Sequence, residues 1–186
     1  MASSAVSPGG GSAAALTAAS GIALLEMTAQ INLEREFKKT NKKNPDATAR
    51  IKKINKLRYE VIKIITSDAV IFTKLSPIFK TDRAGALYQK ALIKSARQPF
   101  RICELSLLAL TFGTEEILRT SRWLASDLAE SALLLEASFK AGRLNVEINL
   151  NQMENKHEVT ASINTLDTLE ANVLKKKEVI LKGLSR

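Results

Sequence analysis

Four groups of residues in this sequence have the types and spacing to do chemistry. Asp68 stands next to the apolar run Ala69, Val70, Ile71 and Phe72. A carboxylate there needs a partner or a purpose, because burying a bare charge is costly. It is either ion-paired to a lysine, or a general acid or base whose pKa is raised by burial. Asp127 follows Ser126 and precedes Leu133-Leu134-Leu135, and it carries the same two alternatives, with a helix cap as the structural one. Asn145 and Asn149 are four apart, so on a helix they share one face. Their amides suit the polar edge of a heterocycle, or else satisfy each other and the backbone. The fourth group is Pro8-Gly9-Gly10-Gly11-Ser12, which runs into Ala13-Ala14-Ala15-Leu16. Three consecutive glycines are costly to order and mark a place where a side chain would obstruct. Ser12 is a good helix N-cap, and the alanines behind it are strong helix formers. The segment therefore reads as a bare loop opening a helix, whose free N–H groups and dipole suit an anion or a polar ring. The structural alternative is a flexible linker that precedes a helix.

Composition removes several classes of chemistry. The chain has 186 residues, 45% hydrophobic, enough for one globular domain with a core. One cysteine, Cys103, excludes an internal disulfide, and with one histidine, His157, no Cys/His metal cluster can be built. Carboxylates alone could hold a hard cation such as magnesium, but no run of them suggests it. Neither Cys103 nor His157 has a visible nucleophile partner, so both are taken as ordinary residues. The formal net charge of +9 points to polyanions: nucleic acid, an anionic membrane, or a small ligand with several carboxylates or phosphates. The basic run from Lys38 to Arg58 is a solvated face by default, and a nucleic-acid patch or polyanion groove otherwise. Aromatics are only 5%, which weakens single-strand binding by stacking. The apolar stretch from Ala13 to Leu33 has no basic residue before it, so it fails as a signal peptide. Glu26 and several polar positions interrupt it, so it fails as a membrane span. A soluble, cytoplasmic protein is expected, with no membrane partner.

Helices must position these groups, because apolar residues recur at three and four throughout and no run alternates for long at period two. The first helix is expected from about Ser12 to Phe37, with Ala18, Ala19, Gly21 and Ala23 small enough for another helix to approach closely. A second runs from about Asp46 to Leu75 with the stripe Ile51, Ile54, Leu57, Val61, Ile64 and Ile65. Ser76-Pro77 ends it. A third runs from about Asp82 to Arg97, and Pro99 starts or kinks another. Gly113 is a weak point. Further helices hold Trp123 to about Leu150 and Val159 to about Leu181. The chain reads as all-α, one single-domain helical bundle over residues 1–186 with about five to seven helices.

The order of the motifs adds to this. Pro8 to Leu16, Asp68-Ala69 with Phe72, Pro99 with Glu104, Ser126-Asp127-Leu128, then Leu144-Asn145-Val146-Glu147-Ile148-Asn149-Leu150 resembles the cyclodeaminase/cyclohydrolase family. That family includes the C-terminal domain of formiminotransferase-cyclodeaminase and stand-alone methenyltetrahydrofolate cyclohydrolases. The resemblance covers roughly residues 5 to 152. It implies an all-helical homodimer with a folate cleft near the dimer interface, a C–N bond reaction at the one-carbon bridge of tetrahydrofolate, and no cofactor. By resemblance, Asp127 and Asp68 are the catalytic candidates. Pro8, Gly9, Gly10, Gly11, Ser12, Lys38, Lys39, Ser126, Asn145 and Asn149 are the substrate-binding candidates.

Two departures stand out. The family's Gly-Lys-Lys element after an Asn-Leu pair is replaced, since Asn32-Leu33 is followed by Glu34 to Phe37 before Lys38-Lys39. Where the family often has Gly-Asn upstream of Ser-Asp, this chain has Arg122-Trp123, which could fill or reshape the cleft. The resemblance implies hydrolysis of 5,10-methenyltetrahydrofolate to 10-formyltetrahydrofolate, favoured for a chain without a formiminotransferase partner. The alternatives are formiminotetrahydrofolate cyclodeaminase, or a non-catalytic dimer of the same fold that binds a protein or nucleic acid. A polyglutamylated folate is an expected partner, attracted by Lys38, Lys39, Lys42 and Lys43.

Overall fold

The computed structural model describes residues 4–5, 7–81 and 85–185. Five long helices follow one another: α1 (Gly10–Thr40), α2 (Pro45–Thr81), α3 (Ala86–Glu116), α4 (Ala125–Leu150) and α5 (Lys156–Leu184), with a 3-10 turn over Arg122–Leu124. There is no strand among the described residues, as the all-α reading requires. The bundle is organised around α1, which packs against α2, α3 and α4, while α5 covers α3 and α4.

Small residues let α1 and α4 come close. Ala14, Ala15, Ala18 and Gly21 are buried, and two serines of α4 hydrogen-bond across to α1 carbonyls. Ser138 donates to Ala14 at 2.9 Å and Ser131 to Gly21 at 2.7 Å. Ala23, counted with that set from the sequence, faces outward. Gly142 does the same work between α3 and α4, where a Cβ would meet the Cys103 sulfur at 3.0 Å and the Pro99 carbonyl at 3.1 Å. Ile22, Leu25, Ile54, Val61, Ile102, Leu105, Leu135 and Phe139 fill the one contiguous core. α1 is long and apolar enough to cross a membrane, but 61% of its most apolar window is buried inside the bundle. That burial marks it as the core helix.

Two helix boundaries differ from expectation. α2 does not stop at Pro77 but continues to Thr81, and α3 runs unbroken through Pro99. A proline inside a helix removes one backbone bond, which tertiary packing can offset. Past Pro77, Phe79 packs on Tyr88 edge-on, with centroids 5.9 Å apart, and this holds the extra turn. Pro99 is itself buried. The expected helix start at Asp82 lies outside the described residues. Gly113 is no weak point, since it lies within α3 facing Ile180 of α5.

Two arginines expected on the solvated face of α2 turn inward instead. Arg58 binds Glu26 at 2.6 Å, and Arg50 binds the fully buried Glu116 at 2.8 Å. Glu116 also accepts from the buried Asn32 at 2.9 Å. Each buried carboxylate thus meets a cation or an amide, as charges in a core must. Lys52, Lys53, Lys56 and Lys63 do stay exposed.

Candidate functional site

The first turn of α1 is where the fold concentrates polar groups. α1 begins at Gly10 with Gly9 as its cap residue, so Ser12 lies inside the helix and is not its N-cap. The reason is tertiary. The Ser12 hydroxyl is buried and donates to the Ile65 carbonyl of α2 at 2.8 Å. The Asp68 carboxylate does the capping from outside, accepting the backbone N–H of Ser12. The end of α1 expected to await an anion is therefore already met by a side chain of α2.

Gly11 makes that approach possible. A Cβ on Gly11 would lie 2.5 Å from Asp68 Oδ1 and 2.6 Å from its carboxyl carbon, and one on Gly10 would lie 2.9 Å from Asn145 Oδ1. The glycines are bare because Asp68 and Asn145 occupy the space that side chains would take.

Asp68 forms no ion pair among the described residues. Burial pushes its pKa up, opposed by the hydrogen bonds from the Ser12 hydroxyl and backbone. Of the two readings of Asp68, the ion pair is not formed among the described residues, and the geometry matches a half-buried carboxyl whose pKa burial raises.

Asp68 opens into a cleft of about 480 Å3. Its polar wall includes Ser7, Asn145, Asn149 and Gln152, and its apolar wall includes Phe72, Phe79, Tyr88, Leu92 and Ile148. Asn145 and Asn149 each give one N–H of the side-chain amide to the carbonyl four residues back, at 2.7 Å, on Ala141 and Asn145 respectively, and keep the second. Their carbonyl oxygens are left as acceptors. Tyr88 donates its hydroxyl to Gln152 and so ties α3 to the end of α4. Pro99 and Ser95 both line the cleft. Pro99 has no N–H to give the Ser95 carbonyl, which is thereby freed from the helix ladder. The site is thus rich in acceptors with an aromatic floor. It suits a flat ligand with an N–H edge. Among the described residues no three His, Cys, Asp or Glu side chains gather to hold a metal ion.

The sequence candidates divide into two sets. Gly9, Gly10, Gly11, Asp68, Asn145 and Asn149 line the cleft and Ser12 supports it from α1, while Pro8, between the lining residues Ser7 and Gly9, does not line it. Ser126 and Asp127 lie in the first turn of α4, eighteen residues before Asn145, about 27 Å away at 1.5 Å per residue. Neither caps that helix, whose cap residue is Leu124. Lys38 and Lys39 are in the last turn of α1, about 40 Å from Gly11 by the same rise. Lys39 borders a separate hollow of about 310 Å3 with Arg35 and Arg119. One chain therefore does not bring the second set to the cleft. Of the aromatic floor only Phe72 was singled out from the sequence, and Phe79 and Tyr88 were missed although they lie at spacings that a helix pair could bring together.

The family model described as formiminotransferase-cyclodeaminase matches residues 1–167. The chain belongs to this family. Its fold is also that of a solved formiminotetrahydrofolate cyclodeaminase from Thermotoga maritima, with a TM-score of 0.87. Sequence identity to that structure is 22%, over 99% of this chain and 91% of the other. No curated protein sequence matched the chain. The domain is thus of cyclodeaminase type, and the glycine-rich turn, Asp68 and the α4 asparagines line one cleft in it.

Proposed function

We propose that the cleft binds a tetrahydrofolate carrying a one-carbon bridge and hydrolyses 5,10-methenyltetrahydrofolate to 10-formyltetrahydrofolate. The observation that carries this is Asp68, a carboxyl kept partly desolvated and hydrogen-bonded at the end of α1, beside acceptors that suit an N–H-rich pterin edge. Water attacks the bridge carbon while Asp68 takes one of its protons. The C–N5 bond then breaks as Asp68 returns that proton to N5, and the remaining hydroxyl proton leaves to solvent. The formyl group stays on N10, and one proton is released overall. A carboxyl whose pKa burial raises holds a proton more readily than an exposed one, which suits it to return the proton to N5. Once ionised, it also stabilises the cationic bridge.

The cyclodeaminase reaction uses the same group. N10 attacks the carbon of the formimino group in its protonated CH=NH2+ form, Asp68 takes the N10 proton and returns it to the NH2 so formed, and ammonia leaves with the C–N electrons to give the cationic bridge. The name of the Thermotoga structure supports this second reading. Both reactions work without a cofactor. The +9 charge supports attraction of a polyanionic glutamate tail, although Lys38 and Lys39 lie about 40 Å from Gly11 along α1 in the same chain.

The protein is further proposed to act as a homodimer in the cytoplasm. The experiment is absorbance decay of 5,10-methenyltetrahydrofolate, run beside ammonia release from 5-formiminotetrahydrofolate, with wild type and Asp68→Asn. Decay that the variant loses by 10²- to 10⁴-fold, a usual range for a general acid–base group, supports the hydrolase. Ammonia release without decay assigns the deaminase. Neither activity in the wild type refutes the catalytic proposal.

A further inference from the structure

Toward the C-terminal end of α1 lies a second hollow, of about 310 Å3, walled by Asn32, Arg35, Glu36, Lys39, Thr40 and Arg119. Three of these side chains are cations and one is a carboxylate. By the rise of the helix, Arg35 is about 36 Å from Gly11 in the same chain. Arg35 and Glu36 belong to the stretch Glu34 to Phe37, which stands where the family has Gly-Lys-Lys. The hollow is therefore built on residues that depart from the family's pattern.

Its charges are unevenly paired. Glu36 is fully engaged, since its Oε1 and Oε2 accept from Asn44 Nδ2 at 3.0 and 3.3 Å, and Oε2 also accepts from Arg119. Arg119 further lies 3.6 Å from the buried Glu116. Arg35 and Lys39 stand one turn apart on α1, and neither side chain makes a hydrogen bond or ion pair among the described residues. Arg35 Nη1 is buried with nothing to donate to. Asn32, 3% exposed, gives its NH2 to Glu116 and Thr120, but its buried Oδ1 meets no donor. An unmet donor and an unmet acceptor at one hollow cost free energy that an occupant would recover. That occupant must bring negative charge for Arg35 and Lys39, and a hydroxyl for Asn32.

We propose that this hollow binds a phosphate group, of inorganic phosphate or of a small phosphomonoester. Two unpaired cations match the nearly two negative charges that a phosphate carries at neutral pH. The guanidinium fork of Arg35 can take two phosphate oxygens side by side, and Lys39 adds a point charge from the next turn. Hydrogen phosphate keeps one O–H at that charge, and a monoester of a sugar offers the sugar's hydroxyls, so either supplies the donor that Asn32 Oδ1 lacks. A carboxylate brings one charge and no hydroxyl of its own. The site rests on these charges alone and does not depend on the folate reading of the cleft.

The test is calorimetric titration of the full chain with inorganic phosphate, ribose 5-phosphate and tri-γ-glutamate, at low salt in a phosphate-free buffer. The expected result is saturation at one phosphate group per chain, with tri-γ-glutamate binding more weakly. Arg35→Ala should weaken phosphate binding about 10- to 100-fold, the size of a lost charge-assisted contact. Because Arg35 has no partner in the fold, that variant should melt at or above the wild type. Arg35→Lys should recover only part of the affinity, since an ammonium lacks the fork. Lys63→Ala, which removes an exposed lysine of α2 outside the hollow, should change nothing. Tighter binding of ribose 5-phosphate assigns the monoester, and equal or tighter binding of inorganic phosphate assigns the free ion. No saturable phosphate binding, or binding that Arg35→Ala leaves unchanged, overturns the inference. So does tighter binding of tri-γ-glutamate, which would make the hollow a carboxylate site.

Discussion

Replacing Gly11 with alanine separates the positioning of Asp68 from the stability of the fold. The new Cβ would lie 2.5 Å from Asp68 Oδ1, against 3.4 Å or more for ordinary contact. The carboxyl must therefore retreat by roughly 0.9 Å, since close-packed atoms overlap only at steep cost. Asp68 is a side-chain end and can yield by rotation, so the fold survives. In the first turn of α1, alanine also gains up to about 1 kcal/mol over glycine through helix propensity and unfolded-chain entropy. The net change in stability should stay within about 1 kcal/mol. Activity is another matter, because displacing a catalytic group by about 1 Å costs on the order of 10²-fold. Gly11→Ala should therefore melt near the wild type and turn over methenyltetrahydrofolate about a hundredfold more slowly. Gly10→Ala, whose Cβ would meet the Asn145 amide oxygen at 2.9 Å, should lose less. If glycine acts through the carboxyl, adding Gly11→Ala to Asp68→Asn should cost almost nothing further. A fully active Gly11→Ala, or losses that simply multiply in the double variant, would refute the positioning role.

Three further outcomes follow from buried groups. Burial raises the Asp68 pKa above its ordinary 3.8, so ionising it costs stability as pH climbs from that value through the folded pKa; Asp68→Asn should melt above the wild type at pH 8, with the gap closing toward pH 4. A lower melting point for the variant at pH 8 would contradict this. Arg50→Ala strips the ion partner nearest to the fully buried Glu116 and should cost about 3 kcal/mol in urea unfolding, less than about 1 kcal/mol being inconsistent with the network. Burial pushes the Cys103 thiol up to about 12, so a thiol reagent at pH 8 should label the protein only after unfolding, and labelling of the folded protein would show the core open at Gly142.

Several features were legible in the sequence because they are local. Apolar residues at three and four specify helices wherever they occur, and the expected start of α2 at about Asp46 falls within one residue of the observed Pro45. The Asn44 side-chain Oδ1 accepts from the Ala47 N–H at 3.0 Å, an interaction that sequence spacing can encode. The oddity of Asp68 was visible too, since a carboxylate beside an apolar run is unusual in any fold. The glycine-rich turn and the two α4 asparagines carried the family resemblance, and they do share one cleft.

Which end of a helix faces which neighbour was not local, and only the tertiary structure decided it. Ser12 has the side chain of a cap, yet a carbonyl of α2 takes its hydroxyl and Asp68 takes the capping role. Arg50 and Arg58 match the lysines around them in charge, but each lies across from a carboxylate on another helix and turns inward. Pro77 and Pro99 are local helix breakers, overruled by aromatic packing and burial. Asp127, Lys38 and Lys39 belong to the same motif set as Asp68, but a helix advances 1.5 Å per residue and holds them tens of ångströms away in their own chain. Periodicity tells which residues share a face. The fold alone decides what that face meets, because the partners are chosen by packing between segments far apart in sequence.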